Sequence, residues 1–133
     1  MDWVTSIHQA IQYIEEHLRE ELTIREIAQQ AALSPFYFQK GFAMLCGMTA
    51  GDYIRQRRLS AAGLEVLTTD RKIIDIALEF GYDSPDSFTK AFVRFHGLTP
   101  AALRKSGGAV RSFAPLRIKL TLEGGQNMDC KIM

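Results

Sequence analysis

Ser34-Pro35-Phe36-Tyr37-Phe38-Gln39-Lys40-Gly41-Phe42 is answered fifty residues later by Ser84-Pro85-Asp86-Ser87-Phe88-Thr89-Lys90-Ala91-Phe92. In both stretches a serine precedes a proline, which pairs a side-chain N-cap with the residue best suited to the first helical position. Phenylalanines follow four and eight residues after each serine, so on a helix they lie one above the other. The echo continues downstream, where Gly47 and Thr49 recur as Gly97 and Thr99. Upstream, Ile24, Ile27 and Ala28 recur as Ile73, Ile76 and Ala77, now at a separation of 49. The one-residue difference therefore falls between Ala28 and Ser34, where a turn between helices can absorb it. A repeated pattern of apolar, turn and cap positions implies one supersecondary unit built twice.

Each copy reads as helix, short turn, N-capped helix, the helix-turn-helix arrangement. In the first, Thr23 and Glu26 form a capping-box pattern ahead of Ile24, Ile27 and Ala28. The Ser34 helix ends near Gly47, a plausible C-terminal glycine. Before it, Ile7, Ile11, Ile14 and Leu18 make one apolar stripe of a helix from Trp3 to about Glu20. After it, Thr49 and Asp52 open a longer helix to about Leu67, roughly 27 Å long at 1.5 Å per residue. The second copy follows, and Thr99-Pro100 starts a last short helix. The expected fold is all-α, with about seven helices and two helix-turn-helix units joined by a long linker helix. The units fall at about residues 23–47 and 72–97, with the linker helix at about 49–67.

Gly107-Gly108 marks a boundary between this region, residues 1–106, and an extension at 107–133. There Leu116, Ile118, Leu120 and Leu122 alternate with Arg117, Lys119, Thr121 and Glu123, the period-two pattern of a half-buried strand. Gly124-Gly125-Gln126-Asn127 reads as a turn, followed by a second strand. A two-stranded ribbon is marginal alone, so it packs on the helices or opens a further sheet.

The net charge of +1 conceals an alternation. Residues 1–33 carry −4, residues 34–60 carry +3, residues 61–86 carry −4 and residues 87–133 carry +6. Positive blocks begin near the second helix of each copy, where a polyanion would meet one face. No apolar run approaches the ~18–20 residues of a membrane span, and the N-terminus lacks a secretion signal, so a reduced cytoplasm is expected. His8, His17 and His96 have no spaced partners, and no glycine-rich phosphate loop is present. No catalytic residue, metal site or cofactor is expected. Cys46 reads as a small buried thiol rather than an oxidant sensor.

The second helix of such a unit can lie in a DNA major groove. With Phe38 and Phe42 turned to the core, Phe36, Gln39 and Lys40 share another face. Gln39 can bond adenine, Lys40 can donate to guanine, and Phe36 can touch a thymine methyl. The matching positions are Asp86, Ser87, Thr89 and Lys90. Asp86 would be repelled by phosphates, so a helix-capping role is favoured over acceptance from cytosine. Tyr37, Arg55, Arg57, Arg58, Arg94, Arg104 and Lys105 are candidate backbone contacts, which fix register without reading sequence. The competing expectation is a helical protein-interaction module without specific DNA binding.

Ile73 to Arg104, with Ile76-Ala77, Gly81-Tyr82, Ser84, Phe88, Phe92, Gly97 and Thr99-Pro100, closely resembles the signature of the AraC/XylS transcription regulators. The first copy is similar to that family's preceding helix-turn-helix, and the resemblance covers about residues 5–106. It implies a bipartite domain of seven helices that binds double-stranded DNA, usually activating bacterial promoters through RNA polymerase. It also implies base reading from Phe36, Gln39, Lys40, Ser87 and Lys90. Some members carry a C-terminal effector-binding domain for a small molecule, whose start the strand from Leu116 resembles. Two positions depart from the pattern: Gly41 stands where a larger apolar residue is favoured, at a cost of ~1 kcal/mol of helix stability, and Leu103 stands where tyrosine is frequent.

Overall fold

Seven helices occupy the chain between Trp3 and Ser106 in the computed structural model, which describes residues 2–116, 118–123 and 127–132, with side chains as far as Leu116. They are α1 (Trp3–Glu16), α2 (Ile24–Gln30), α3 (Pro35–Cys46), α4 (Ala50–Thr68), α5 (Ile73–Glu79), α6 (Pro85–His96) and α7 (Pro100–Ser106). Beyond them the backbone runs as β1 (Ile118–Glu123) and β2 (Asn127–Ile132), antiparallel with Ile118 opposite Ile132. The turn expected at Gly124-Gly125-Gln126 lies outside the described residues.

The chain divides into two compact units. The first contains α1, α2, α3, α4 as far as Tyr53 and the described residues from Pro115 on, and the second contains Leu18–Glu21 and Ile54–Ala114. In the first, Ile7, Ala10, Ile14, Ile27, Ala28, Phe38, Phe42 and Tyr53 are completely buried. The Tyr53 hydroxyl donates to Glu15 Oε2 at 2.6 Å and accepts from the Leu116 N–H at 3.3 Å, so its polar end is satisfied inside the unit. In the second unit Ala62, Val66, Ile76, Ala77, Phe80, Phe88, Phe92 and Leu103 form the core, with Ile73, Tyr82, Leu98 and Val110 packed against it. Leu103 is fully buried there, so its departure from tyrosine is a matter of packing.

Helix α1 stops at Glu16, short of the Glu20 that periodicity suggests. The carbonyls of Leu18 and Glu20 accept from Arg58 Nε at 2.9 Å and Arg58 Nη2 at 2.7 Å, both within the second unit. The helix itself closes at His17, whose φ of −123° leaves the helical range and whose N–H donates to Ile14 O at 3.1 Å. Close by, Arg19 and Arg71 both pair with Glu65 and Glu79, and the Arg71 hydrogen bonds hold the Glu79 carboxyl below its usual range.

The two turns locate the length difference to a single residue. In the first unit the Leu33 N–H donates to Ala28 O, and in the second the Tyr82 N–H donates to Ala77 O, each at 2.9 Å. Up to these bonds the copies keep a separation of 49, so the additional residue is Asp83, between Tyr82 and Ser84. The residue closing each turn has positive φ: Gly81 at 89° and, in the first copy, Ala32 at 57°. An alanine there costs roughly 1–2 kcal/mol relative to unstrained backbone.

Gly41 has a reason that periodicity does not show. A Cβ on Gly41 would lie 2.2 Å from Trp3 Cζ3 and 2.5 Å from Trp3 Cε3, because the indole of α1 rests on the α3 backbone. The glycine is a close-approach position, and the indole fills the space that a larger residue at 41 would occupy. Gly41→Ala should therefore destabilise the chain by about 1–3 kcal/mol through overpacking. In a Trp3→Ala background the same change should stabilise by up to ~1 kcal/mol, as helix propensity alone would act. Denaturant unfolding of the four variants checks this, and the same sign in both backgrounds would refute it.

Candidate nucleic-acid interface

Ser34 caps α3, its Oγ accepting from the Tyr37 N–H at 3.2 Å. Phe38 and Phe42 are wholly buried with ring centroids 5.8 Å apart, and Phe42 lies 5.8 Å from Tyr53. That anchorage sends the other face of α3 to solvent. Phe36 is 66% exposed, Tyr37 is 57% exposed, and Gln39 and Lys40 are exposed with them. Phe36 meets Tyr37 edge to face at 5.6 Å, and Lys40 Nζ lies 5.9 Å from the Phe36 centroid. The structure thus brings together an aromatic edge, an amide and an ammonium at the start of one helix. Exposing rings this size has no return in folding; it suits a surface to be covered by something else.

On α6, Ser84 is the cap, accepting from the Ser87 N–H at 3.1 Å. Ser87 Oγ lies 2.8 Å from Ser84 Oγ and 3.1 Å from the Ser84 carbonyl oxygen, so its hydroxyl belongs to the cap. Ser84 supplies the side-chain cap, as the Ser84-Pro85 pair predicts, and Asp86 stands beside it at the helix N-terminus. Asp86 sits in the first turn, where the helix dipole favours an anion, and its Oδ2 lies 3.1 Å from Lys90 Nζ. Both partners are highly exposed, so this pair contributes little to stability. It does compensate the charge that Lys90 presents. Thr89 is half-buried, and Phe88 and Phe92 anchor α6 with centroids 5.4 Å apart.

The arginines fall into two groups. Arg57 Nη1 donates to Phe113 O at 2.7 Å, Arg58 bonds Leu18 O and Glu20 O, and Arg104 Nε donates to Val66 O at 3.0 Å. All three are half-buried, and burial lowers the Arg58 pKa from its ordinary value. These three candidate phosphate ligands thus also hold main-chain carbonyls within the second unit. Arg55, Arg94 and Lys105 are exposed.

Sequence reasoning passed over Arg111. Its N–H donates to His96 Nδ1 at 3.2 Å, and its guanidinium carbon stands 5.1 Å from the Phe95 centroid. The only sign of it was the excess positive charge after residue 87. His96 is equally committed. Its Nε2 donates to Leu59 O at 2.8 Å, so the imidazole is neutral, with Nδ1 as acceptor. The ring stands where a Cβ on Gly63 would be, 2.5 Å from that position.

A family profile described as "Helix-turn-helix domain" matches residues 27–106. The chain is 41% identical over 98 residues to Regulatory protein SoxS of Escherichia coli (strain K12), covering 74% of this chain and 92% of that protein. It is 37% identical over 100 residues to the HTH-type transcriptional activator AarP of Providencia stuartii, covering 75% and 74%. Among solved structures it is similar to the DNA-binding domain of AdpA, a global transcriptional factor, in complex with a target DNA. That likeness has a TM-score of 0.69 at 26% identity and covers 75% of this chain and 90% of the other.

Burial is the main cause that holds the His96 pKa below 6.5; the Arg111 charge acts in the same direction and the bond to Leu59 O opposes them. A depressed folded pKa contributes stability that is complete above 6.5 and lost as pH falls through the folded value, since the unfolded chain binds the proton first. Between about pH 7.5 and about pH 5.5 the thermal midpoint should therefore fall further for the wild type than for His96→Gln, which cannot titrate. Equal falls would contradict the neutral-histidine assignment.

Proposed function

The chain belongs to the AraC-type helix-turn-helix family of DNA-binding transcription regulators, and from that premise we propose that α3 carries most of its sequence readout while α6 chiefly positions it. The observation that supports this is the contrast between the two outward faces. α3 presents Phe36, Gln39 and Lys40, three side chains able to meet base edges. At the matching places α6 has a carboxylate paired with its own lysine, a hydroxyl engaged in its cap and a half-buried threonine. A helix with those groups has few donors to give to bases.

In this proposal Gln39 reads adenine, Lys40 reads guanine and Phe36 lies against a thymine methyl. Tyr37, Arg55, Arg94 and Lys105 hold phosphates, and the second unit occupies a neighbouring major groove. Ser87 and Lys90 bond to DNA only after releasing their partners on α6. The proposal places the protein in the cytoplasm, acting as an activator through RNA polymerase, with the region after residue 107 leading into an effector-binding domain. No helix among the described residues is long and apolar enough to cross a membrane.

Selection from a randomised duplex pool at low salt tests this. Lys40→Ala should relax preference at one base pair by about 1–3 kcal/mol, whereas Thr89→Ala should leave the enriched site nearly unchanged. Two enriched half-sites about one helical turn apart, roughly 34 Å, are expected. A pool without enrichment would overturn the DNA reading and leave the protein-interaction alternative.

A further inference from the structure

Arg111 lies beyond the residues matched by the family profile, which ends at 106. The chain nevertheless returns it to the second unit and fixes it there. The Phe113 N–H donates to Ser60 Oγ at 3.0 Å, Arg57 Nη1 donates to Phe113 O at 2.7 Å, and the Arg111 N–H donates to His96 Nδ1 at 3.2 Å. The segment is thus tied to α4 and α6 by its own main chain, which leaves the Arg111 side chain available for another task. That side chain rests over Phe95 and is exposed beyond it.

The place it reaches is a cleft of about 310 Å³ between α4, α6 and the returning segment. Arg55 of α4, Arg94 of α6 and Arg111 all line it, with Gln56 and Phe95, and no lining residue is acidic. An anion in the cleft would meet cationic side chains from α4, α6 and the returning segment. The flat guanidinium fork suits phosphate oxygens, which it can bond in pairs. An aromatic ring beneath one of them restricts its motion before the anion arrives.

We propose that Arg55, Arg94 and Arg111 form a phosphate-binding cleft, to which the segment following α7 adds the third cation. In the regulator this phosphate belongs to the DNA backbone, so the inference rests on the DNA reading above. A free polyphosphate anion shares the chemistry, and the two sources separate by experiment.

The test uses the whole chain and a duplex taken from the selection. Binding constants are measured over a series of salt concentrations for the wild type, Arg111→Ala, Arg111→Lys and Arg111→Glu. Loss of one phosphate contact should lower the salt slope by about 0.9 in Arg111→Ala, with the lysine variant restoring most of it and glutamate weakening binding further. The enriched sequence should stay the same, because a phosphate contact carries no base information. The alanine variant keeps its main-chain N–H, and an unchanged thermal midpoint confirms that the segment remains in place. In parallel, tripolyphosphate is titrated without DNA. Binding that disappears in Arg111→Ala supports the cleft with a free anion as its occupant, and a change in slope without such binding assigns it to the duplex. If the wild type binds duplex while all four proteins give one slope and none binds tripolyphosphate, the cleft is overturned and the DNA reading stands. If the wild type binds no duplex, that reading fails, and the tripolyphosphate titration alone decides the cleft.

Discussion

Two phenylalanines four residues apart, buried without remainder, orient α3 and α6, and the faces those helices turn outward follow from that anchorage. Phe38 and Phe42 turn one side of α3 inward, and Phe88 and Phe92 do the same for α6. Burying each ring contributes roughly 1.5–3 kcal/mol, a sizeable share of the 5–15 kcal/mol that holds an ordinary domain together. A helix has only one opposite face. Once the anchors are placed, the residues two before and two after the first phenylalanine of each helix look outward. Gln39 of α3 does so too, while the matching Thr89 of α6 is half-buried. Serine caps and the αL glycines Gly47 and Gly97 set where each helix starts and stops, so the outward face begins at the same turn in both copies.

The copies diverge where that scaffold makes no demand. Phe36 and Gln39 stand opposite Asp86 and Thr89, and only the lysines agree. Even the lysines differ in setting, one beside a phenylalanine ring and the other tied to a carboxylate. The same freedom allows two local exchanges in the first unit. Ala32 tolerates a left-handed conformation that Gly81 adopts at no steric cost, and Gly41 gives up a side chain so that Trp3 can lie on the helix.

Much of the fold was legible because it is written in short-range patterns. Capping serines, a proline at the first helical position and apolar residues at helical spacing locate α2, α3, α5 and α6 within a residue or two. The outward set Phe36, Gln39 and Lys40 was legible for the same reason, since it follows from the anchors by helix geometry. What escaped depends on contacts distant in sequence. The carbonyls of Leu18 and Glu20 are held by Arg58, about forty residues away. The function of Gly41 comes from Trp3, and the internal employment of Arg57, Arg58 and Arg104 comes from carbonyls that no local pattern identifies. Arg111 escaped because its position depends on His96 and on the hydroxyl of Ser60.

The central claim is that a repeated scaffold carries two different faces, of which the first does the reading. Exchanging those faces tests it most directly: Phe36→Asp, Tyr37→Ser and Gln39→Thr together give α3 the outward residues of α6 while leaving Phe38, Phe42 and Ser34 untouched. The variant should unfold at close to the wild-type midpoint, and duplex selection should lose the base preference of one half-site. An unchanged enriched sequence would contradict the account, because the reading would then lie outside the outward face of α3.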